Sequence, residues 1–260
     1  MSKRLSIPTN IWLTGASSGI GEALVHELAG CGHNLIVTGR RQQALDSLAD
    51  HYPERIATAA ADTTNVDDLA GISDDLNHFG DLDMAILNAG TCQYLEIADY
   101  DSRVIEANIT TNVLGTARSL DIALPALRAT RAKGKPATLV IVSSSAWWFP
   151  FARAEGYGAS KAALSYFAHA LRADLAAEGI DVVVVSPGFV RTPLTDRNDF
   201  AMPFIIDAED AAQRIRSGLE RGKTEIAFPR PFIWLMKVFS ALPQSLTDRL
   251  AARMARNTDS

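Results

Sequence analysis

A short stretch near the N-terminus limits the possible folds more than any other part of the chain. The apolar run Asn10 to Leu13 passes at once into Thr14-Gly15-Ala16-Ser17-Ser18-Gly19-Ile20-Gly21, and Ala23, Leu24, Leu28 and Ala29 then recur at helical spacing. A strand that turns through glycines directly into a helix opens a βαβ unit, the building block of parallel sheets covered by helices. Gly15 permits the tight turn, Gly19 lets the backbone approach a ligand, and Gly21 allows close helix packing. Free N–H groups at the helix start, around Ser17, Ser18 and Ile20, favour a pyrophosphate, so the predicted ligand is a dinucleotide. A P-loop would end in Gly-Lys-Ser/Thr, whereas Gly21 is followed by Glu22. Alone, the glycine turn also fits a purely structural strand-to-helix connection.

Further strand and helix patterns alternate along the chain. His33 to Gly39 is the second predicted strand and should end beside the adenosine ribose. It finishes in Arg40 and Arg41 instead of an acidic residue, which favours a 2′-phosphate and hence NADP(H) over NAD(H), with Arg40 the better candidate and Arg41 a solvated helix start. Arg55 to Ala61 is the third strand, ending at Asp62, which either accepts from the adenine amino group or is a plain loop carboxylate. Asn65 is placed to cap the next helix. The fourth strand, Leu82 to Leu87, leads into Asn88-Ala89-Gly90, small residues that let the chain pass close to a cofactor. A helical pattern from Asp101 to Arg131 carries Asn112, whose carboxamide would face the core and bind a backbone carbonyl or a water.

The chemistry concentrates between Leu139 and Leu175. The run Leu139 to Val142 reads as a buried strand that ends in Ser143, Ser144 and Ser145, and hydroxyls there can reach a cleft. Tyr157 and Lys161 follow at i, i+4 on one helical face. A free tyrosine has a pKa of about 10, and a fixed ammonium nearby is expected to lower it, making the phenol a proton exchanger. By itself the pair also fits a solvated helix edge. A strand from Ile180 to Val185 ends in an irregular turn containing Pro187, Gly188, Val190 and Thr192, where backbone groups could fix a carboxamide and Thr192 could reach a phosphate. Leu194 to Ile206 reads as a substrate lid, Asp207 to Arg221 as a helix, and Thr224 to Phe228 as a final strand.

Composition removes several classes. With 260 residues, 47% of them apolar, a large core is possible. A net charge of −5 provides no basic footprint for nucleic acid. Cys31 and Cys92 lack paired or metal-type spacing, the five histidines are scattered, and no metal site is expected. The N-terminus shows no signal-peptide core, so a cytoplasmic location is expected.

With these pieces placed, the sequence resembles the short-chain dehydrogenase/reductase family in its compact single-domain branch, over nearly the whole chain to about Pro229. The resemblance rests on Thr14-Gly15-x-x-x-Gly19-x-Gly21, Asn88-Ala89-Gly90, Asn112, Ser144, Tyr157-x-x-x-Lys161 and Pro187-Gly188 in order. It implies an α/β Rossmann fold over residues 1–229, a doubly wound parallel sheet with helices on both faces, and a tetrad of Asn112, Ser144, Tyr157 and Lys161. Ser144 is chosen over its neighbours because it lies thirteen residues before Tyr157. The implied reaction is hydride transfer between NADP(H) and a carbonyl or secondary alcohol. Tyr157 would exchange the proton, Ser144 hold the oxygen, Lys161 bind the nicotinamide ribose and Asn112 position a water. A 3-oxoacyl-type reductase and a non-catalytic nucleotide sensor are the alternatives. A homodimer or homotetramer is the family's habit.

Two segments depart from the family pattern. Trp147-Trp148-Phe149-Pro150-Phe151 is bulky; with Tyr94, Phe189 and Phe204 it is expected either to wall an apolar substrate pocket or to pack as core. Residues 230–260 form an apolar and amphipathic extension, with Leu246, Leu250 and Met254 in register. It is too short and too charged at Lys237 to span a bilayer, and it should pack over the cleft or against another subunit, with peripheral membrane contact less favoured.

Overall fold

The computed structural model describes Leu5 and residues 8–256, with side chains as far as Arg253. The Met254 side chain of the tail pattern and positions 1–4, 6 and 7 of the N-terminal reading lie outside what is described. The first half runs β1 (Asn10–Thr14), α1 (Gly19–Gly30), β2 (Asn34–Thr38), α2 (Gln42–His51), β3 (Ile56–Thr58), α3 (Val66–Phe79) and β4 (Met84–Leu87). There follow α4 (Ser102–Ile109), a π-helical turn (Thr110–Leu114), α5 (Gly115–Ala132), β5 (Ala137–Val142), α6 (Glu155–Leu175) and β6 (Ile180–Pro187). The chain continues through β7 (Val190–Arg191), β8 (Ile206–Asp207), α7 (Ala208–Glu220), β9 (Glu225–Phe228), α8 (Arg230–Ser240) and α9 (Gln244–Arg256).

Seven strands pair in parallel in the order β3-β2-β1-β4-β5-β6-β9, while β7 and β8 form a separate small ribbon. The central strands are apolar throughout because each side chain has a core to enter. Ile11, Leu13, Val37, Ile86, Val140 and Val183 face α1 and α7 on one side, while Trp12, Ile36, Leu87, Ile141 and Val184 face α3, α5 and α6 on the other. Period-two alternation with both faces covered gives this pattern, which is the doubly wound Rossmann arrangement. The strand order reverses between β1 and β4, and a crevice at the carboxyl ends of the strands follows from that reversal.

Two expected elements differ. The helix expected over 101–131 is broken by the π turn at Thr110–Leu114, a feature that re-aims side chains without ending the rod. The third strand is shorter than expected: beyond Thr58 the chain still follows its neighbour through Ala59 N–H to Val37 O and Ala61 N–H to Gly39 O, but at a sheet edge it has no second partner strand. The tail folds as α8 and α9. Phe232, Ile233 and Met236 of α8 are buried with Trp148 and Phe149 in a third apolar cluster. No described helix is long and apolar enough to cross a membrane.

Candidate active site

The carboxyl ends of β1, β4, β5 and β6 carry the predicted residues to one edge. At β1 the glycine turn is locked by close approach. Gly15 has φ of +69° and a Cβ there would lie 2.7 Å from Ala89 Cα; a Cβ on Gly21 would lie 2.0 Å from Gly15 O. Asn88 braces the same turn, its Nδ2 donating to Thr14 O and Gly15 O at 3.2 Å, while the Asn88 and Ala89 N–H groups donate to Thr14 Oγ1. Ser18 is the N-cap of α1 and makes no side-chain capping bond, so its hydroxyl does not satisfy the first-turn N–H groups. Thr192 leans on this loop, since a Cβ on Gly19 would meet its Cβ at 3.1 Å. This cradle fits a pyrophosphate.

Arg40 is largely exposed and stands 4.0 Å from Asp62. Arg41, set aside from the sequence, donates to Ser17 O and so lies at the mouth of the loop. Asp62 Oδ1 accepts from the N–H and hydroxyl of Thr64 at 2.9 and 2.8 Å. Burial alone would raise its pKa, but those two bonds and Arg40 hold the carboxyl below its ordinary value.

The second half of the edge holds the four polar groups. Asn112 is fully buried; its Oδ1 accepts from Thr91 N–H at 2.7 Å and its Nδ2 donates to Thr91 O at 3.0 Å and Ser160 Oγ at 2.8 Å. The backbone carbonyl expected from the sequence is therefore that of Thr91. Asn108 makes the same two-bond clamp on Gln93, one helical turn earlier. Four helical residues rise about 6 Å and two extended residues about 6.6 Å, so the two asparagines match alternate peptide groups. Gly90 lets this strap pass: a Cβ there would lie 3.1 Å from Asn112 Oδ1 and 3.5 Å from Lys161 Nζ. Ser160, unnoticed in the sequence, donates to Tyr157 O at 2.7 Å and links Asn112 to α6.

At the end of β5, Ser143 turns inward, its hydroxyl bonded to Lys161 O at 2.8 Å and Ser165 Oγ at 2.7 Å. Ser145 is buried in a 3₁₀ turn. Ser144 Oγ accepts from Ala146 N–H at 3.1 Å and, of the three serines, is the one whose hydroxyl favours the ionised form of Tyr157. Lys161 is buried, donates to Val142 O at 3.0 Å and sits 5.8 Å from the Tyr157 ring centroid. The expected lowering of the Tyr157 pKa by Lys161 is not what this geometry gives. Burial pushes the phenol above its ordinary value, with Ser144 offsetting only part, and burial pushes the Lys161 ammonium down to about 8. Both charged forms are disfavoured by the loss of water.

Downstream, Gly188 N–H donates to Phe228 O at 2.7 Å, and a Cβ there would strike Phe232 at 2.8 Å, so Gly188 is constrained by α8. Its neighbour Pro187 ends β6, and Val190 O accepts from Thr195 Oγ1 at 2.7 Å. The aromatic run packs largely as core. Trp148 and Phe149 are core, and Phe189 stacks on Phe232 at 5.3 Å. All five residues of the run also line a groove of ≈ 570 Å³ with Gln244 and Ala251, but none of the four polar groups borders it, so it is not the pocket expected beside them. Phe204 is more than half exposed. Tyr94 meets Phe200 edge-on at 5.6 Å and couples electrostatically to Tyr157. No cluster of three or more metal-ligating side chains exists among the described residues.

A doubly wound parallel sheet with a glycine cradle at its switch point, and a serine, tyrosine and lysine on the adjoining strand and helix, defines a Rossmann-type oxidoreductase. Residues 9–201 match the family model for short chain dehydrogenase, and the chain belongs to that family. It is 33% identical over 250 residues to an oxidoreductase of Myxococcus xanthus described as uncharacterized, covering 93% of this chain and 96% of that one. It is 36% identical over 197 residues to 11-beta-hydroxysteroid dehydrogenase 1A of Arabidopsis thaliana, covering 74% of this chain and 55% of the relative. A crystal structure of a short-chain dehydrogenase from Streptomyces avermitilis superimposes with a TM-score of 0.80 at 27% identity, over 97% of this chain and all of that one.

Proposed function

We propose that the protein transfers hydride between NADP(H) and a ketone or secondary alcohol of largely apolar character. The observation that carries this reading is the meeting of Ser144, Tyr157 and Lys161 beside the glycine cradle. The dinucleotide, when bound, supplies or accepts the hydride. Gly15, Ser17, Ser18, Gly19, Ile20 and Gly21 would hold its pyrophosphate, with Thr192 alongside, and Asp62, Asn88, Ala89, Gly90, Pro187, Gly188 and Val190 would border it. Arg41 at the loop mouth and exposed Arg40 favour the 2′-phosphate form.

Tyr157 keeps its proton through neutral pH because burial disfavours the phenolate, which suits an acid that donates to a carbonyl oxygen. Ser144, whose hydroxyl favours the ionised form of that phenol, would fix the oxygen's position. Lys161 holds the strand end through Val142 O and would offer its positive charge to the cofactor ribose. Asn112, tied to Thr91 and Ser160, would hold a water that returns the proton to Tyr157.

An apolar substrate is supported by the aromatic groups Tyr94 and Phe200 and by the likeness to a hydroxysteroid dehydrogenase. Exposed Trp234 and Val238 on α8 favour a homo-oligomer, and we read the enzyme as cytoplasmic. The test is oxidation of NADPH and NADH by the full chain with a panel running from small polar aldehydes to steroid and long-chain ketones. Turnover with NADPH and bulky ketones is expected; a preference for small polar carbonyls would overturn the substrate class.

A further inference from the structure

The segment between β7 and β8, read above as a lid, is held by a side chain that the proposed mechanism does not use. Arg153 lies in the loop before α6 with φ of 65°, the left-handed region where a non-glycine residue is strained. Such a conformation persists where surrounding contacts over-determine it, and the contacts here come from two other segments. Arg153 O accepts from Leu95 N–H at 2.8 Å. Its Nε donates to Glu96 Oε1 at 2.7 Å and its Nη1 to Asp199 Oδ1 at 2.8 Å. The guanidinium carbon lies 5.7 Å from the Tyr94 ring centroid. One residue therefore joins the loop after β4, the loop before α6 and the lid.

The residues on either side of Asp199 complete the closure. Phe200 packs edge-on against Tyr94 at 5.6 Å. Asn198 Nδ2 donates to Met202 Sδ at 3.2 Å, but Asn198 Oδ1 is buried without a partner. A single exposed ion pair would contribute little, but a guanidinium shared by two carboxylates and laid on a ring is a network.

We propose that Arg153 is a positioning residue for substrate: it latches the lid at Asp199 to the Tyr94–Glu96 loop and so sets the size of substrate admitted beside Tyr157. The proposal rests on the reading of Tyr157 as the proton donor. Hydrogen exchange by mass spectrometry on the full chain tests the latch without reference to turnover. Arg153→Gly suits the backbone conformation, and Asp199→Asn leaves Arg153 in place, so both should fold. Exchange across 192–206 is expected to quicken by about two- to fivefold in both variants and in high salt, with Arg153→Lys retaining part of the protection and the sheet unaffected. In the same variants KM for a bulky ketone should rise while kcat stays within about twofold. Unchanged exchange in both Arg153→Gly and Asp199→Asn would overturn the latch. Absence of NADPH-dependent turnover in the wild type would overturn the reductase reading, and the exchange result would still decide the latch.

Discussion

The two halves of the sheet's carboxyl edge are built by different means. On the β1–β4 side the site is made by the backbone, with glycines lying against Ala89 and the Asn88 side chain stitching the turn to the neighbouring strand. Past β5 it is made by side chains that meet across long separations, such as Ser143 with Ser165, Asn112 with Ser160 and Arg153 with Asp199. A backbone site tolerates almost no substitution and should lose ligand affinity as a whole when one glycine gains a methyl group. A side-chain site should lose its functions one at a time.

The sharpest test of this contrast is Tyr157→Phe, which removes one hydroxyl and leaves the cradle intact. Its kcat/KM for ketone reduction should fall by about 10²–10⁴-fold while NADPH affinity, followed by cofactor fluorescence, stays unchanged. A matching loss of NADPH binding would mean that the halves are not separable. Next in size is Phe232→Ala in the cluster of α8 with Trp148 and Phe149. Loss of this ring should cost roughly 3–5 kcal/mol in denaturant unfolding, and should alter the substrate ranking without altering NADPH affinity in the folded fraction. Gly21→Ala probes the other half: a Cβ 2.0 Å from a carbonyl oxygen forces the turn apart, at a cost of about 1–3 kcal/mol, and should weaken NADPH and NADH binding together.

How much could be read from the chain follows the same division. The glycine turn was legible because tight approach demands glycine in a local run, and the strands were legible because both faces of the sheet are covered, so their side chains are apolar without a break. Asn65 as a cap was legible for the same local reason, and its side chain does accept from Asp67 N–H at 2.9 Å. The Asn108 clamp, the Ser160 link and the Arg153 contacts were not, because each joins residues at least 15 apart in sequence and no local pattern marks it. The aromatic run was ambiguous for a related reason: whether Trp148 walls a pocket or a core depends on where α8 docks. The bond of Arg41 to Ser17 O was not legible either, because it depends on how the second strand abuts the first.

Cofactor choice lies between the two kinds of site, since arginine side chains there complete a backbone cradle. Arg41→Ala and Arg40→Ala should each lower the preference for NADPH over NADH, by about tenfold for the double variant, as measured by the ratio of kcat/KM values. Arg41 should have the larger share because it is already anchored to the loop, while Arg40 is shared with Asp62. The opposite order would mean that Arg40 leaves Asp62 when the dinucleotide binds.

The smallest expected effect is a pH dependence that distinguishes Lys161 from Tyr157. Burial lowers the Lys161 pKa to about 8 from its ordinary 10.5, whereas it raises that of Tyr157. Between those two lysine values the unfolded chain binds more protons at this site than the folded one, so its contribution to stability rises with pH across the window and is lost as pH falls through 8. Activity should run the other way. The charge that Lys161 offers the cofactor disappears as pH rises through about 8, while Tyr157 still holds its proton, so kcat/KM for reduction should be level near pH 7 and decline by a few fold toward pH 9. Lys161→Arg keeps its charge and should move that decline to higher pH, even if its lower plateau reflects a poorer fit beside Val142 O. A decline unmoved by this substitution would assign the titration to another group and would remove Lys161 from the working description of the site.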